Sequence, residues 1–180
     1  MRDAIGTLAN ALQRDKGGLA IVWCPDLGLR QWLAGEVESL APTGARPIQV
    51  SSVEEAIGAP DRMVLLVPAD EREVVLDLDA SRDRLLEPER THPVVLFLLR
   101  GGDGQRALAE SAPSLWSWAV GSDADPEAIA EIDPVVERAA FEARHGATPD
   151  EWLARWRAGE IARSAENLSV AYRAMLLEGS

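Results

Sequence analysis

Apolar residues in this chain follow two rhythms. Short unbroken runs, "LAIVWC" at 19–24, "PIQV" at 47–50, "MVLLVP" at 63–68 and "PVVLFLL" at 93–99, have the length and composition of strands covered on both faces. Between them apolar positions recur at intervals of three and four, which predicts helices. The first such helix carries Ile5, Leu8, Ala9 and Leu12 and stops at Gly17-Gly18. The next runs through Leu29, Trp32, Leu33, Val37 and Leu40. Further helices are expected at "VEEAIG", "REVVLDLDASRDRLL" and "GQRALAES", and "WAVG" reads as a last short strand.

Strand and helix thus alternate about five times, the signature of an α/β fold. The expectation is a doubly wound, P-loop-like parallel sheet of about five strands with helices on both faces. Right-handed crossovers place all strand C-termini on one edge, and ligands of such sheets bind there. That edge would carry Cys24-Pro25, Ser51-Ser52, Pro68 to Asp70, Arg100 to Asp103 and Gly121 to Asp123.

From Asp125 onward the pattern is helical only. "DPEAIAEIDPVVERAAFEARHG" predicts a helix broken or kinked at Pro134 and stopped at Gly146. "TPDE" opens another: Thr148 as N-cap, Pro149 in the first position, Glu151 closing a capping box. A last helix, opened by Ser164, lines up Leu168, Ala171, Tyr172, Met175 and Leu176. The chain is therefore read as an α/β domain over residues 1–124 and a helical extension over 125–180 packed on it.

Composition narrows the function classes. Thirty acidic residues against eighteen basic ones leave a net charge of −12, which opposes binding to nucleic acid or another polyanion. The single cysteine, Cys24, excludes an intramolecular disulfide and fits a reducing compartment. No stretch has the pattern of a signal peptide or the ~20 apolar residues of a membrane span. A soluble, cytoplasmic protein is expected, with no membrane partner.

The loop after the first strand, "CPDLGLR", holds neither of the glycine patterns that cradle phosphates, and the sole lysine, Lys16, precedes that strand. Asp26 there has the wrong sign for a phosphate. The expectation is therefore a degenerate P-loop-like domain that binds no cofactor. Asp70-Glu71 sits at a strand end, where a carboxylate caps the following helix. Cys24 stands at a strand end as nucleophiles do, but His92 begins a strand at the opposite edge and His145 lies in the helical tail. No Cys–His pair follows, and Cys24 reads as a small buried hydrophobe. Two distant histidines and one cysteine do not make a zinc site. No catalytic or metal-binding residue is expected.

Aromatic usage is skewed: six tryptophans accompany two phenylalanines and one tyrosine. Trp116 and Trp118 alternate with Ser117 on the way into "WAVG", which reads first as a helix-to-strand corner and second as a docking patch. Trp152 and Trp156 are one helical turn apart and are expected to pin the tail to the sheet domain, and Arg155 and Arg157 belong to "LARWRAGEIAR", the best candidate for a small basic patch. These six residues form the candidate partner-binding surface. Cys24, Asp70 and Arg100 are the candidate ligand pocket, Arg100 being able to clamp a phosphate or carboxylate.

One stretch, "LDLDASRDRLLEPERTHPVVLFLLRGGDGQRALAESAPSLWSW", resembles a segment of bacterial signalling and defence proteins of the STAND and AAA+ ATPase-like type. There an LNxxRExL helix leads to a PVVLWLP strand and then to LAxxAPDLWSW. The matching residues are Leu78, Ala80, Arg82, Asp83 and Leu85, then Pro93 to Leu98, then Leu108, Ala109 and Ala112 to Trp118. In many such domains the phosphate loop is absent, as it is here. The tail from Phe141 is similar to the YGxSxEEFxxRxxxGE helical segment of small bacterial antitoxin-like proteins. Together these resemblances imply a non-enzymatic adaptor or inhibitor that binds another protein, an effector, protease or regulator, in bacterial defence or stress signalling. A small-molecule, nucleotide-sensing pocket at the strand C-termini is the first alternative, and an antitoxin or anti-sigma regulator the second.

Overall fold

Four of the apolar runs become strands: β1 (Leu19–Cys24), β2 (Ile48–Val50), β3 (Val64–Leu66) and β4 (Val94–Leu99). The computed structural model describes residues 17–40, 47–85, 90–112, 114–115 and 134–178. The sheet order is β1-β4-β3-β2 and every neighbouring pair is parallel. Between and after the strands come α1 (Leu27–Leu40), α2 (Val53–Ile57), α3 (Glu71–Ala80), α4 (Arg82–Leu85) and α5 (Asp103–Glu110). The expected helix at 2–15 and the expected fifth strand at 118–121 lie outside the described residues, as do Trp116 and Trp118.

The unbroken apolar runs are explained by burial on both faces. Leu19, Ile21 and Trp23 of β1 share one face with Val64, Leu66, Val94, Leu96 and Leu98, and pack with buried residues of α2 to α5. The alternate positions, Ala20, Val22, Cys24, Leu65, Val95 and Phe97, are also buried and point to the other face. There α1 lies across β1, β4 and β2 through Leu29, Leu33, Ala34 and Val37.

The strand order dictates this division. The step from β1 to β2 crosses the whole sheet, whereas β2 to β3 and β3 to β4 step back toward β1. Right-handed crossovers in opposite directions put their helices on opposite faces. At the C-terminal ends of the neighbours β1 and β4, one connection therefore leaves toward α1 and the other toward α5. This is a topological switch point.

One expected element differs. The helix anticipated over 72–86 is two helices, because α3 stops at Ser81, whose N–H donates to the Asp77 carbonyl. Asp77, Asp79, Ser81 and Asp83 place four poor helix formers in seven positions.

The chain divides into two compact units, one over residues 4–124 and one over 125–180. In the second, α6 (Pro134–His145), α7 (Pro149–Arg157) and α8 (Ala165–Leu177) pack on one another. α6 begins at the proline expected to break a helix; residues 125–133 lie outside the described set. Thr148 and Glu151 form the anticipated capping box, and Ser164 accepts from the Asn167 N–H. On α8 the buried stripe is Leu168, Ala171, Tyr172, Ala174 and Leu177, with Met175 and Leu176 only half-buried. Trp152 and Trp156 stack at 5.7 Å between centroids, the Arg163 guanidinium lies 4.4 Å over Trp156, and His145 lies between Phe141 and Trp152.

His145 links this packing to pH. Burial, reinforced by Arg144 and Arg173, holds its imidazole below the usual value of 6.5. A lowered folded value means that the unfolded chain takes up the proton first, so this contribution is full above pH 6.5 and declines as pH falls through the folded value. Below the ordinary carboxyl value of 4.5, Glu151 and Glu178 add a second loss, because Thr148 and Arg157 hold their carboxyls down. His145→Gln is expected to flatten the fall in unfolding midpoint between about pH 7 and pH 5 and to leave the acid limb unchanged. An unaltered profile in thermal melts would show that His145 is not the titrating group.

Candidate functional site

At the switch point the structure holds a cleft of about 330 Å³. Its walls come from three elements: Leu27 and Arg30 from α1; Ala69, Asp70 and Glu71 from the end of β3 and start of α3; and Leu99, Gly102, Asp103 and Arg106 from the end of β4 and start of α5. Leu27, 57% exposed, supplies an apolar rim.

Glu71 is the centre of the cleft's chemistry. Its side chain is buried, 8% exposed, and so is that of Arg30, at 7%. Arg30 Nη1 donates to Glu71 Oε1 at 2.9 Å, and the Leu99 N–H donates to the same oxygen at 2.9 Å. The Gly104 N–H donates to Oε2 at 3.3 Å. One carboxylate thus joins α1, the end of β4 and the first turn of α5. Gly102 and Gly104 make this approach possible: a Cβ at 102 would stand 2.8 Å from Glu71 Oε2, and one at 104 would stand 2.9 Å from Glu71 Cβ and 2.8 Å from Leu98 Cδ2.

The other helix starts along this edge are also filled. Asp26 accepts from the Leu29 N–H at 2.9 Å, Asp70 from Glu73 at 2.9 Å, and Ser52 from Glu55 at 3.3 Å. Those caps are local, three residues from their donors. Each occupies amides and a dipole end that would otherwise attract an anion. Asp103 is engaged as well, by the Arg106 guanidinium. Every carboxylate in the cleft wall therefore holds a partner from this chain.

The residues expected to form a pocket divide. Asp70 lines the cleft as the anticipated helix cap. Cys24 and Arg100 meet at the backbone, where the Arg100 N–H donates to the Cys24 carbonyl at 2.9 Å, but neither side chain belongs to the cleft wall. Cys24 is fully buried, and burial above all pushes its thiol up to about 12, against a smaller opposing effect of Arg30. His92 precedes β4 at the opposite edge, beyond Val94, which itself stands about 16 Å along the strand from the Leu99 that pairs with Cys24. Arg30, Glu71 and Gly104 were not anticipated as a group. The readable signal is "RGGDG" between a strand and a helix, a glycine-rich turn after β4 and not after β1, where a phosphate loop is expected.

In the helical unit Trp152 and Trp156, both expected on the partner-binding surface, are buried at 6% and 1% exposure. Arg155 and Arg157 do face solvent: Arg155 pairs with Glu160 at 3.5 Å, and Arg157 grips the Glu178 carboxylate with two nitrogens at 3.1 and 2.9 Å. On α6, Val135 and Val136 are 76% and 62% exposed. Among the described residues no His, Cys, Asp and Glu cluster is placed to hold a metal ion, and no helix is long and apolar enough to cross a membrane. Comparison with protein-family models, curated proteins and solved structures finds no match to this chain.

Two outcomes follow from this geometry. Glu71→Ala leaves a buried guanidinium and two amides without their acceptor and is expected to lower stability by about 3–5 kcal/mol in urea unfolding. A loss below about 1 kcal/mol would mean that the carboxylate is not the joint described. Cys24 is expected to resist a thiol-specific chromogenic reagent in the native protein and to react fully in denaturant. Rapid native reaction at neutral pH would contradict the buried, protonated thiol.

Proposed function

We propose that this chain is a non-enzymatic protein-binding adaptor or inhibitor. The observation that carries this reading is the self-occupation of the sheet's carboxyl edge. Where a doubly wound sheet receives an anionic ligand, Asp26, Ser52, Asp70 and Glu71 already cap the helix starts. A scaffold whose ligand edge is filled by its own side chains retains shape and loses the anion cradle on which nucleotide chemistry depends. The buried thiol of Cys24 supports the same reading, because a protonated sulfur with no solvent access is a poor nucleophile.

Recognition then falls to the exposed surface. The helical unit offers two adjacent apolar side chains, Val135 and Val136, together with the solvent-facing guanidinium groups of Arg155 and Arg157. Exposed valine pairs and surface arginines are chemistry for a protein partner, and a net charge of −12 disfavours nucleic acid. The resemblance of residues 76–118 to STAND and AAA+ ATPase-like segments, and of the tail to antitoxin-like helices, directs the search toward an effector, protease or regulator of bacterial defence or stress signalling.

A nucleotide sensor is the competing reading, favoured by the position of the cleft at the switch point. One set of measurements separates the two. Affinity capture from the host identifies the partner, and titration of the purified pair measures its affinity. Arg155→Ala/Arg157→Ala and Val135→Ser/Val136→Ser are each expected to weaken binding at least about tenfold, the arginine variant losing besides only the small stability of the exposed Arg157–Glu178 pair. ATP, ADP, GTP and cyclic nucleotides are expected to leave that midpoint where it is. Unchanged affinity in both variants would overturn the surface assignment. A saturable nucleotide-induced rise, worth about 2.7 kcal/mol at a hundredfold excess over Kd, would favour the sensor.

A further inference from the structure

Glu71 differs in kind from the other caps on its edge. Asp26, Ser52 and Asp70 each reach an amide three residues away, whereas Glu71 reaches Leu99 and Gly104 from 28 and 33 positions earlier in the chain. It arrives at the first turn of α5 as a ligand does, from outside that segment. What it meets is complete as an anion site. The Gly102 N-cap of α5 provides no side chain, so the helix start is open except for this carboxylate. Two backbone N–H groups and one guanidinium nitrogen converge on its oxygens, at 2.9, 3.3 and 2.9 Å. Gly102 and Gly104 are approached so closely that no side chain fits there, as in turns built around bound anions. Arg30 is itself nine-tenths buried, and its Nε has no hydrogen-bond partner among the described residues, so the cation keeps donor capacity beyond Glu71.

We propose that the turn at residues 102–104, the end of β4 and Arg30 form a carboxylate-binding seat whose occupant in this structure is Glu71. A carboxylate is the matching chemistry, because one oxygen takes Arg30 Nη1 and the Leu99 N–H while the other takes the Gly104 N–H. Glu71 opens α3, and the seat belongs to α1, β4 and α5. Exchange of Glu71 for the carboxylate of a small ligand in the cleft releases the first turn of α3 from Arg30, Leu99 and Gly104, while Val74, Val75 and Leu78 keep the helix packed in the core. The site couples occupancy to the freedom of that turn. It goes beyond the protein-binding reading above, which takes Glu71 as a fixed occupant of that edge, and its test on the sheet unit leaves the surface of the helical unit untouched.

The test is chemical rescue of the full chain. Glu71→Ala empties the seat, and sodium acetate or formate is titrated against its thermal midpoint, with sodium chloride at equal ionic strength as control. The expected result is a saturable rise with acetate or formate at least about tenfold more effective than chloride. The wild type is expected to be insensitive over the same range, because a tethered carboxylate outcompetes a free one. Inorganic phosphate is the third arm; if it rescues better than acetate, the seat is tetrahedral in preference and the carboxylate assignment falls. Glu71→Ser, which also vacates the seat but keeps a small hydroxyl, is carried in parallel in case the alanine variant does not fold, and refolding yield in acetate against chloride is then the readout. Failure of acetate to rescue either variant, or equal rescue by chloride, overturns the proposal. A carboxylate that merely balanced Arg30 would be missed in stability without its absence creating a selective binding site.

Discussion

The sheet unit turns on one buried ion pair. Taking Arg30 and Glu71 out of water is unfavourable, and their mutual attraction offsets that only when the remaining hydrogen-bonding capacity is also met. Here it is met on the carboxylate side by the amides of Leu99 and Gly104. The glycines at 102 and 104 are a consequence, since no other residue lets the backbone come so near. The pair, the amides and the glycines therefore form one unit, and weakening any part exposes the others to the full penalty of burial without a partner.

Topology explains why this unit sits where it does. With the order β1-β4-β3-β2, the connections leaving β1 and β4 diverge to opposite faces and open a crevice between the first turns of their helices. A crevice ringed by helix N-termini has a positive field and unsatisfied amides, conditions that draw anions. The chain meets those conditions with Asp26, Asp70 and Glu71 of its own, where a nucleotide-binding sheet leaves room for a phosphate.

The helical unit is organised differently. Its interior is a row of rings, Phe141, His145, Trp152 and Trp156, closed by the Arg163 guanidinium. Long polar side chains then tie its helices at the surface: Arg138 pairs with Asp150 and donates to the Leu177 carbonyl, Arg173 pairs with Glu137, and Arg157 pairs with Glu178. The tryptophans are consumed by this packing, so the surface presents valines and arginines instead.

Much of this was legible along the chain. Unbroken apolar runs of strand length, three- and four-residue helical spacing and the Thr148 to Glu151 cap are local properties, and they determined the α/β class, the four described strands and the start of α7. Asp70 could be read as a cap for the same reason, its donor being three residues away. The partnership of Arg30, Glu71, Leu99 and Gly104 could not, because it spans up to 41 positions and exists only once β1 and β4 lie side by side. Likewise only packing decided that Trp152 and Trp156 turn inward while Cys24 is sealed beneath α1. Periodicity reports which side of an element is apolar; which charged group is drawn into a crevice depends on the order of the strands, and that order is a property of the folded chain.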